Sequence, residues 1–275
     1  MISNLKKIIK EALREDMPRG DITTNITIST NHPVQAKIIS KSKGMICGLE
    51  VAKKVFLMVD KQLVVKTQLQ DGAYIKTNQT ILTIKGNKKS ILKAERTALN
   101  FLGFMSGIST KTNELSLLIK KFKTKVCCTR KTLPNLRNLQ KYAVIVGGGT
   151  NNRMNLSDEI FIKDNHIADN NLETLIPAVI KKNKLKKLIT VEVDNLAQLK
   201  KIKAYKINRV LFDNMTPANI KNGIKLLPKN IETEASGNIN QSNIRNYAKS
   251  GVQRISMGAL THTITNFDFS LEIKN

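Results

Sequence analysis

From Lys125 onward the chain alternates short apolar runs with segments of helical periodicity, and this alternation limits its fold more than any other feature. Helical spacing fills most of the gaps, for example over 172–182 and 217–226. Six or seven alternating units favour a parallel α/β barrel (TIM-like), complete or incomplete, over an open doubly wound sheet with its G-x-G-x-x-G motif. The runs predict strands at 125–129, 142–147, 159–163, 188–193, 209–213, 231–235 and 252–257.

The first third of the chain predicts a smaller α+β unit. A long helical stretch follows over 88–123, and we expect it to break near Ser106-Gly107. In the α+β unit, the pattern predicts helices over 3–15 and 48–60 and strands over 34–41, 62–69 and 80–84.

Composition limits the class of protein. The 275 residues are 41% hydrophobic, enough for a sizeable core, and no apolar run nears the roughly 18–20 residues that span a bilayer. Lysines interrupt the N-terminal stretch, which argues against a signal peptide. Three cysteines without a C-x-x-C spacing favour a reducing, cytoplasmic setting over a disulfide framework or a zinc site.

The formal charge of +25 suggests attraction to polyanions such as nucleic acid. The lysines, however, are spread over all predicted helices rather than gathered on one. Aromatic residues make up only 4% and tryptophan is absent, so surfaces for base stacking are scarce. We therefore favour drift of the sequence toward lysine over nucleic-acid binding.

Charged residues and glycines gather where the predicted strands end, the edge at which α/β barrels carry their active sites. Cations on the early strands suit a carboxylate or phosphate substrate. Carboxylates on the later strands suit sugar hydroxyls and a magnesium ion held through phosphates and water. The set therefore predicts a pocket for a small anionic molecule. Its members are Arg130, Lys131, Gly147 to Gly149, Lys163, Asp164, Glu192, Asp194, Asp213, Asn214, Glu234, Ser236, Gly237, Ser256 and Gly258.

Several of these residues also have a purely structural interpretation. Asp213-Asn214 could cap a helix, Ser236-Gly237 could form an ordinary turn, and Lys163 could pair with Glu192. Arg96 shares a helix face with Leu92 and Leu99, where a charge needs an anionic partner. That partner is either a core carboxylate or a ligand.

Nine motifs occur in order over nearly the whole chain, and together they resemble the quinolinate phosphoribosyltransferase family, also called nicotinate-nucleotide pyrophosphorylase (carboxylating). A single motif would be weak, but the ordered series is highly specific. The motifs are G-D-I-T-T at 20–24, E-R-T-A-L-N at 95–100, T-R-K-T at 129–132, G-G-G at 147–149, I-K-D-N-H at 162–166, V-E-V at 191–193, F-D-N at 212–214, E-A-S-G at 234–237 and G-A-L-T-H at 258–262.

The resemblance implies an N-terminal α/β sandwich domain over 1–108, joined by the C-terminal residues 266–275, and an α/β barrel over 109–265. It implies homodimers, and sometimes higher oligomers such as hexamers, with active sites at the subunit interface. The implied reaction joins quinolinate to phosphoribosyl pyrophosphate with Mg²⁺, giving nicotinate mononucleotide, pyrophosphate and carbon dioxide on the de novo route to NAD.

The resemblance also implies roles for residues of this chain. Catalysis is expected from Lys131, Lys163, Glu192 and Asp213. Quinolinate binding is expected from Arg96 of a neighbouring subunit and from Arg130, Lys131, Asn152, Arg153 and Lys163. Phosphoribosyl pyrophosphate binding is expected from Glu192, Asp213, Ser236, Gly237, Gly258 and His262, with Mg²⁺ near Glu192 and Asp213. The triple glycine is expected to be a close-packing turn.

Three positions depart from the family pattern. Asn152 stands where the family usually has histidine, so it can form hydrogen bonds but cannot carry a proton or charge. Asn238 replaces a glycine, and asparagine tolerates left-handed backbone. Cys128 replaces a common aspartate.

The alternatives to this family function are a paralogue associated with molybdenum transport, an inactive homologue, or a basic nucleic-acid-binding protein. The intact I-K-D-N-H motif argues against the first of these.

Overall fold

The structure is a computed structural model that describes residues 4–29, 32–167 and 171–274. The chain divides into two compact units. The first comprises Met1–Asn113, Thr132–Gly148 and Thr261–Asn275, and the second comprises Glu114–Lys131 and Gly149–Leu260.

The helices and strands have the following bounds. The helices are α1 (Leu5–Asp16), α2 (Ile22–Thr27), α3 (Leu49–Val59), α4 (Lys88–Leu118), α5 (Arg137–Val146), α6 (Asp164–Ile167), α7 (Leu172–Lys182), α8 (Leu196–Ile202), α9 (Pro217–Leu226), α10 (Ile244–Lys249) and α11 (Ala259–His262). The strands are β1 (Pro33–Ser40), β2 (Gly44–Met45), β3 (Val64–Lys66), β4 (Tyr74–Ile75), β5 (Thr80–Asn87), β6 (Lys125–Cys127), β7 (Ile160–Ile162), β8 (Ile189–Val193), β9 (Arg209–Asp213), β10 (Glu232–Ser236), β11 (Arg254–Ser256) and β12 (Phe269–Lys274).

The first unit contains an antiparallel sheet in the order β12-β1-β5-β3. Strand β1 lies between the C-terminal strand β12 and β5, so Ala36 pairs with both Ile273 and Ile84. Alternate residues of β1 are buried, as expected for a sheet with one face on a core. The α+β character predicted for this part of the chain is confirmed.

The predicted break in the long helix is wrong, because α4 continues through Ser106-Gly107. Ser106 exchanges hydrogen bonds with the backbone of Cys47, with its hydroxyl both donating and accepting. A Cβ at Gly107 would collide with the backbone carbonyl of Thr265. The glycine therefore allows a neighbouring segment to cross the helix closely, and does not interrupt it.

The second unit contains a parallel sheet in the order β6-β11-β10-β9-β8-β7. All five residues of β8 are buried, which is typical of parallel strands covered on both faces. Within the described residues β6 and β7 share no ladder, and Thr150 forms an isolated bridge to Cys127 of β6 instead. The barrel-like α/β fold is thus confirmed in its incomplete form.

The strand predicted at 142–147 is wrong, since these residues belong to helix α5, which lies in the first unit. The β-branched run Val144-Ile145-Val146 suggested a strand. However, Leu139, Ala143 and Val144 are buried, whereas Tyr142 and Ile145 are exposed, which is a helical pattern. Short apolar runs do not distinguish the two structures by themselves.

Within the described parts of the chain, no helix combines the length and the apolar character needed to cross a bilayer.

Candidate active site

Two cations of the second unit, from separate segments, lie near the ring of Phe161 in β7. The guanidinium carbon of Arg153 lies 4.8 Å from the ring centroid, and Nζ of Lys163 lies 5.2 Å from it. Both distances allow a cation–π interaction. The ring of Phe161 therefore attracts both positive charges and offsets part of the repulsion between them.

Arg130, which follows β6, adds a third charge to this cluster. The pKa of the Arg153 guanidinium is lowered, first by burial and then by the positive charge of Arg130. Lys131 is exposed beside Arg130, and its backbone N–H donates to the hydroxyl of Thr129. The geometry thus places Arg153 near both Arg130 and Lys163, an arrangement suited to a polyanion.

Carboxylates at the ends of β8 and β9 form a second cluster. One oxygen each from Glu192, Asp194 and Asp213 lies within 4.8 Å of the others. Burial raises the pKa of Glu192; Lys163 opposes this by hydrogen bonding and charge, and the negative charge of Asp213 adds to it. Because Glu192 is 6% exposed, its charge depends strongly on its partners.

The cation and carboxylate clusters meet at Lys163. Its Nζ donates to Oε2 of Glu192 at 2.9 Å, and the lysine side chain is 45% exposed. The ion pair considered from the sequence therefore exists. Because the lysine also faces the ring of Phe161, the pair links the two clusters rather than closing off a buried core.

The carboxylate cluster fits a magnesium ion by its chemistry. Its three oxygens, from Glu192, Asp194 and Asp213, are hard donors of the kind that Mg²⁺ prefers. Magnesium also keeps several water molecules and commonly binds phosphates, so a partial set of protein ligands is sufficient.

The turn after β10 lies beside this cluster. The Ser236 hydroxyl donates to Asp213 at 2.6 Å, and Asn214 donates to the other oxygen of Asp213 at 2.7 Å. Gly237 has φ +90°, and a Cβ there would collide with the Asn214 side chain. Asn238 adopts φ +52°, the left-handed conformation expected for an asparagine that replaces glycine. The turn thus fixes the orientation of Asp213.

Arg96 differs from the sequence-based expectation. It is exposed on α4, whereas Leu99 is buried and Leu92 is only half-buried. The buried stripe of this part of the helix runs through Ile91, Ala94 and Ala98 instead. Arg96 therefore needs no buried carboxylate within the chain.

The remaining predicted residues are distributed between the units. Gly258 belongs to the second unit and follows β11. Arg96 and His262 belong to the first unit, where His262 is exposed and its ring contacts the Thr263 hydroxyl at 2.8 Å. Gly147 also lies in the first unit, where a Cβ would be 2.7 Å from that of Thr112. This close approach agrees with a packing turn.

Sequence reasoning missed a buried ionic network within the second unit. Arg209 pairs with Glu232 at 2.6 Å, with Glu159 at 3.4 Å and with Glu234 at 3.6 Å. Arg254 pairs with Glu232 at 3.6 Å and with Glu234 at 3.3 Å. The available signal was the charge at the first positions of β9, β10 and β11, because such charges need partners when strands are buried.

The prediction that Glu234 lies at a strand end is wrong. It is the central residue of β10 and is fully buried. The strand continues to Ser236, so only Ser236 and Gly237 lie at the carboxyl end. Alternation along the strand places Glu232, Glu234 and Ser236 on one face.

Comparisons with known protein families identify the same architecture. The profile described as "Quinolinate phosphoribosyl transferase, N-terminal domain" matches residues 21–106. The profile described as "Quinolinate phosphoribosyl transferase, C-terminal domain" matches residues 108–272. The chain belongs to the quinolinate phosphoribosyltransferase family. Its structure accordingly combines an antiparallel-sheet unit with a parallel, barrel-like one.

Relatives within the family align with nearly the whole chain. A probable nicotinate-nucleotide pyrophosphorylase (carboxylating) of Methanocaldococcus jannaschii is 39% identical, covering 97% of this chain and 96% of the relative. A protein of the same description from Bacillus subtilis is 35% identical, covering 98% and 93%. The solved nicotinate-nucleotide pyrophosphorylase of Francisella tularensis is 36% identical, with a TM-score of 0.94 over 100% of this chain and 97% of that one.

Proposed function

We propose that this chain is a decarboxylating quinolinate phosphoribosyltransferase, which converts quinolinate and phosphoribosyl pyrophosphate to nicotinate mononucleotide, pyrophosphate and carbon dioxide. The observation that carries the proposal is the meeting of a cation cluster and a carboxylate cluster at Lys163, 2.9 Å from Glu192. Relatives that align over nearly the whole chain carry names for this activity.

The cation cluster suits the pyridine dicarboxylate. The charges of Arg130 and Arg153 are close enough to repel, and Lys163 lies near the same Phe161 ring as Arg153. A substrate with two adjacent carboxylates offsets this accumulation of positive charge. Lys131 follows Arg130 after β6, and its exposed side chain is accessible to a ligand. Cations on the two carboxylates would turn the ring nitrogen toward C1 of the ribose, which lowers the entropic cost of the encounter.

The carboxylate cluster suits the sugar. As the bond from C1 to pyrophosphate breaks, its electron pair leaves with pyrophosphate, and positive charge develops at C1. Glu192 and Asp213 stabilise that charge, because they are fixed in place and need little reorganisation. The ring nitrogen then bonds to C1 and becomes quaternary.

Loss of carbon dioxide follows from the quaternary nitrogen. The bond between the ring and the 2-carboxylate breaks, carbon dioxide leaves, and the ring retains the electron pair. The carbon then takes a proton from solvent. Lys131 or Lys163 positions the departing carboxylate, which requires only a directed positive charge.

We further propose that Glu192, Asp194 and Asp213 hold a magnesium ion together with the pyrophosphate group and water. When bound, the ion neutralises part of the negative charge of the leaving pyrophosphate. The turn at Ser236-Gly237 and residues Gly258 and His262 are assigned to the sugar phosphates.

A homodimer is also part of the proposal, with Arg96 delivered to the quinolinate site of the neighbouring subunit. Its exposure on α4 supports a contact outside its own chain. A cytoplasmic location stays a prediction. The three cysteines are buried and form no disulfide, which agrees with it.

Release of carbon dioxide from carboxyl-labelled quinolinate tests this function. We expect release that requires both phosphoribosyl pyrophosphate and Mg²⁺. Lys131→Ala and Lys163→Ala should each lower kcat/KM by at least about tenfold, or about 1.4 kcal/mol of transition-state stabilisation. Lys221→Ala is the matched control, since Lys221 is exposed on α9 and belongs to neither cluster.

Three outcomes would contradict the proposed function or its site. Wild-type protein without carbon dioxide release would indicate an inactive homologue or the paralogue associated with molybdenum transport. Near-wild-type turnover in both lysine variants would contradict the site assignment. Tight binding of nonspecific DNA at physiological salt would support the nucleic-acid alternative.

A further inference from the structure

The side-chain amide of Asn152 is fully occupied by protein partners. Its Nδ2 donates to Oε1 of Glu234 at 2.6 Å and to Oγ of Ser256 at 2.9 Å. Its Oδ1 accepts from Nη2 of Arg254 at 2.7 Å. The partners fix the orientation of the amide, since the reverse would place its oxygen against a carboxylate and its nitrogen against a guanidinium. Both donor hydrogens are thus used within the protein.

Glu234 is a rigid acceptor for this amide. It is fully buried at the centre of β10, and its Oε2 lies 3.3 Å from Nε of Arg254 and 3.6 Å from Nε of Arg209. The Ser256 hydroxyl donates to Oε1, the oxygen that also accepts from Asn152. Strands β9 and β11 on either side of β10 therefore hold the carboxylate in place.

The surrounding charges explain why a neutral donor suits this position. The network contains three carboxylates, Glu159, Glu232 and Glu234, and two guanidinium groups, Arg209 and Arg254. Glu234 is fully buried, so its carboxylate gains from hydrogen-bond donors in addition to its ion pairs. The amide of Asn152 supplies them without adding a charge.

The backbone around Asn152 is fixed by the same strands. Thr150 bonds to β6, donating its N–H to the carbonyl of Val126 at 2.8 Å and accepting from Cys128 at 3.1 Å. Nη2 of Arg254 donates to the carbonyl of Asn151 at 3.1 Å. Arg153 follows Asn152 directly, so these contacts hold the backbone just before it, and its Nη1 donates to the carbonyl of Glu159 at 3.3 Å.

We propose that Asn152 is a positioning residue for the quinolinate site: Glu234, Ser256 and Arg254 hold its amide, and this sets the place from which Arg153 reaches the substrate carboxylate. Asn152 itself makes no contact with quinolinate, in place of the direct role that the family resemblance implies. The proposal rests on the proposed function, because Arg153 is assigned to quinolinate there.

The test compares Asn152→Ala, Ser256→Ala and the double variant, with Asn219→Ala as the matched control. Asn219 is exposed on α9, outside the network. We expect Asn152→Ala to raise the KM for quinolinate at least about tenfold and the KM for phosphoribosyl pyrophosphate less than about twofold. Ser256→Ala should raise the quinolinate KM about threefold. The double variant should match Asn152→Ala, since Ser256 acts through Asn152.

Calorimetric binding of quinolinate to the same proteins separates this proposal from the proposed function. If wild-type protein binds quinolinate, and Asn152→Ala binds it at least about tenfold more weakly, the positioning role stands even where turnover is absent. An unchanged quinolinate affinity in a folded Asn152→Ala protein would overturn it. Independent effects of the two substitutions, or an equal rise in both KM values, would overturn it as well.

Discussion

At the scale of single residues, Lys163 links the cation cluster to the carboxylate cluster. Its Nζ lies 2.9 Å from Glu192 and 5.2 Å from the ring centroid of Phe161, and Arg153 lies near the same ring. A half-exposed lysine in this position can turn toward a bound carboxylate while Glu192 stays close. Under the proposed function, the same side chain balances a buried acid before binding and meets an anionic substrate afterwards.

The raised pKa of Glu192 leads to a pH prediction. Its ordinary value is 4.5, and burial raises it in the folded protein. Between the ordinary and the raised pKa, the folded state binds more protons than the unfolded state. The contribution of Glu192 to stability is therefore fully present below the ordinary value and is lost as the pH rises through the raised one.

Chemical denaturation of wild-type protein and of Glu192→Gln at several pH values checks this expectation. The free energy of unfolding of the wild type, relative to the variant, should decrease as the pH rises from about 4 toward neutrality. A relative stability that increases over this range would show that Lys163 outweighs the effect of burial.

At the scale of elements, close contacts decide which segments can pack. Gly147, at the end of α5, lies against α4, where a Cβ would be 2.7 Å from that of Thr112 and would collide with the carbonyl of Ser109. Its φ is −74°, so its conformation is open to any residue. Space alone therefore requires glycine here.

We predict that Gly147→Ala lowers the free energy of unfolding by about 1–3 kcal/mol, because backbone atoms cannot move aside cheaply. Gly251→Ala serves as the comparison. It has φ +90° but nothing within 4 Å of the added Cβ, so it measures backbone strain without a collision. Thermal and denaturant unfolding should show the larger loss for Gly147→Ala, and equal losses would contradict the packing argument.

Sequence patterns predicted the barrel strands well where the runs were fully buried. The runs at 188–193 and 209–213 correspond to β8 and β9, and both strands are almost entirely buried. The run at 142–147 failed because β-branched residues also occur in a helix when one side of it packs on a core. The local sequence pattern does not show against which part of the protein a segment packs.

At the scale of the whole molecule, the proposed dimer makes the active site a shared property of two chains. Arg96 is exposed in its own chain, while Lys163 belongs to the cluster in the second unit. A site that needs Arg96 of one subunit and Lys163 of the other can be restored by mixing two inactive variants.

Co-expression of Arg96→Ala with Lys163→Ala tests this prediction. Each variant alone should have low activity. In a random mixture half of the dimers are mixed, and each contains one intact site, so about one quarter of wild-type activity should return. The control is a homodimer of the chain that carries both substitutions. Activity no higher than the mean of the two variants would contradict delivery of Arg96 by the partner.

The sequence by itself determined the alternation of strands and helices, the chemical character of the strand ends and the family. These follow from local spacing and residue type, which a chain carries before it folds. It also placed Lys163 and Glu192 at neighbouring strand ends, where parallel strands bring side chains together.

Only the tertiary structure decided which of those side chains act on each other. It turned 142–147 into a helix, exposed Arg96, and enclosed Glu234 between Arg209 and Arg254. Burial and ion pairing depend on atoms distant in sequence, and their energies change steeply with distance and solvent access. For that reason the sequence marked Asn152 as unusual, but its three hydrogen-bond partners became visible only in the folded chain.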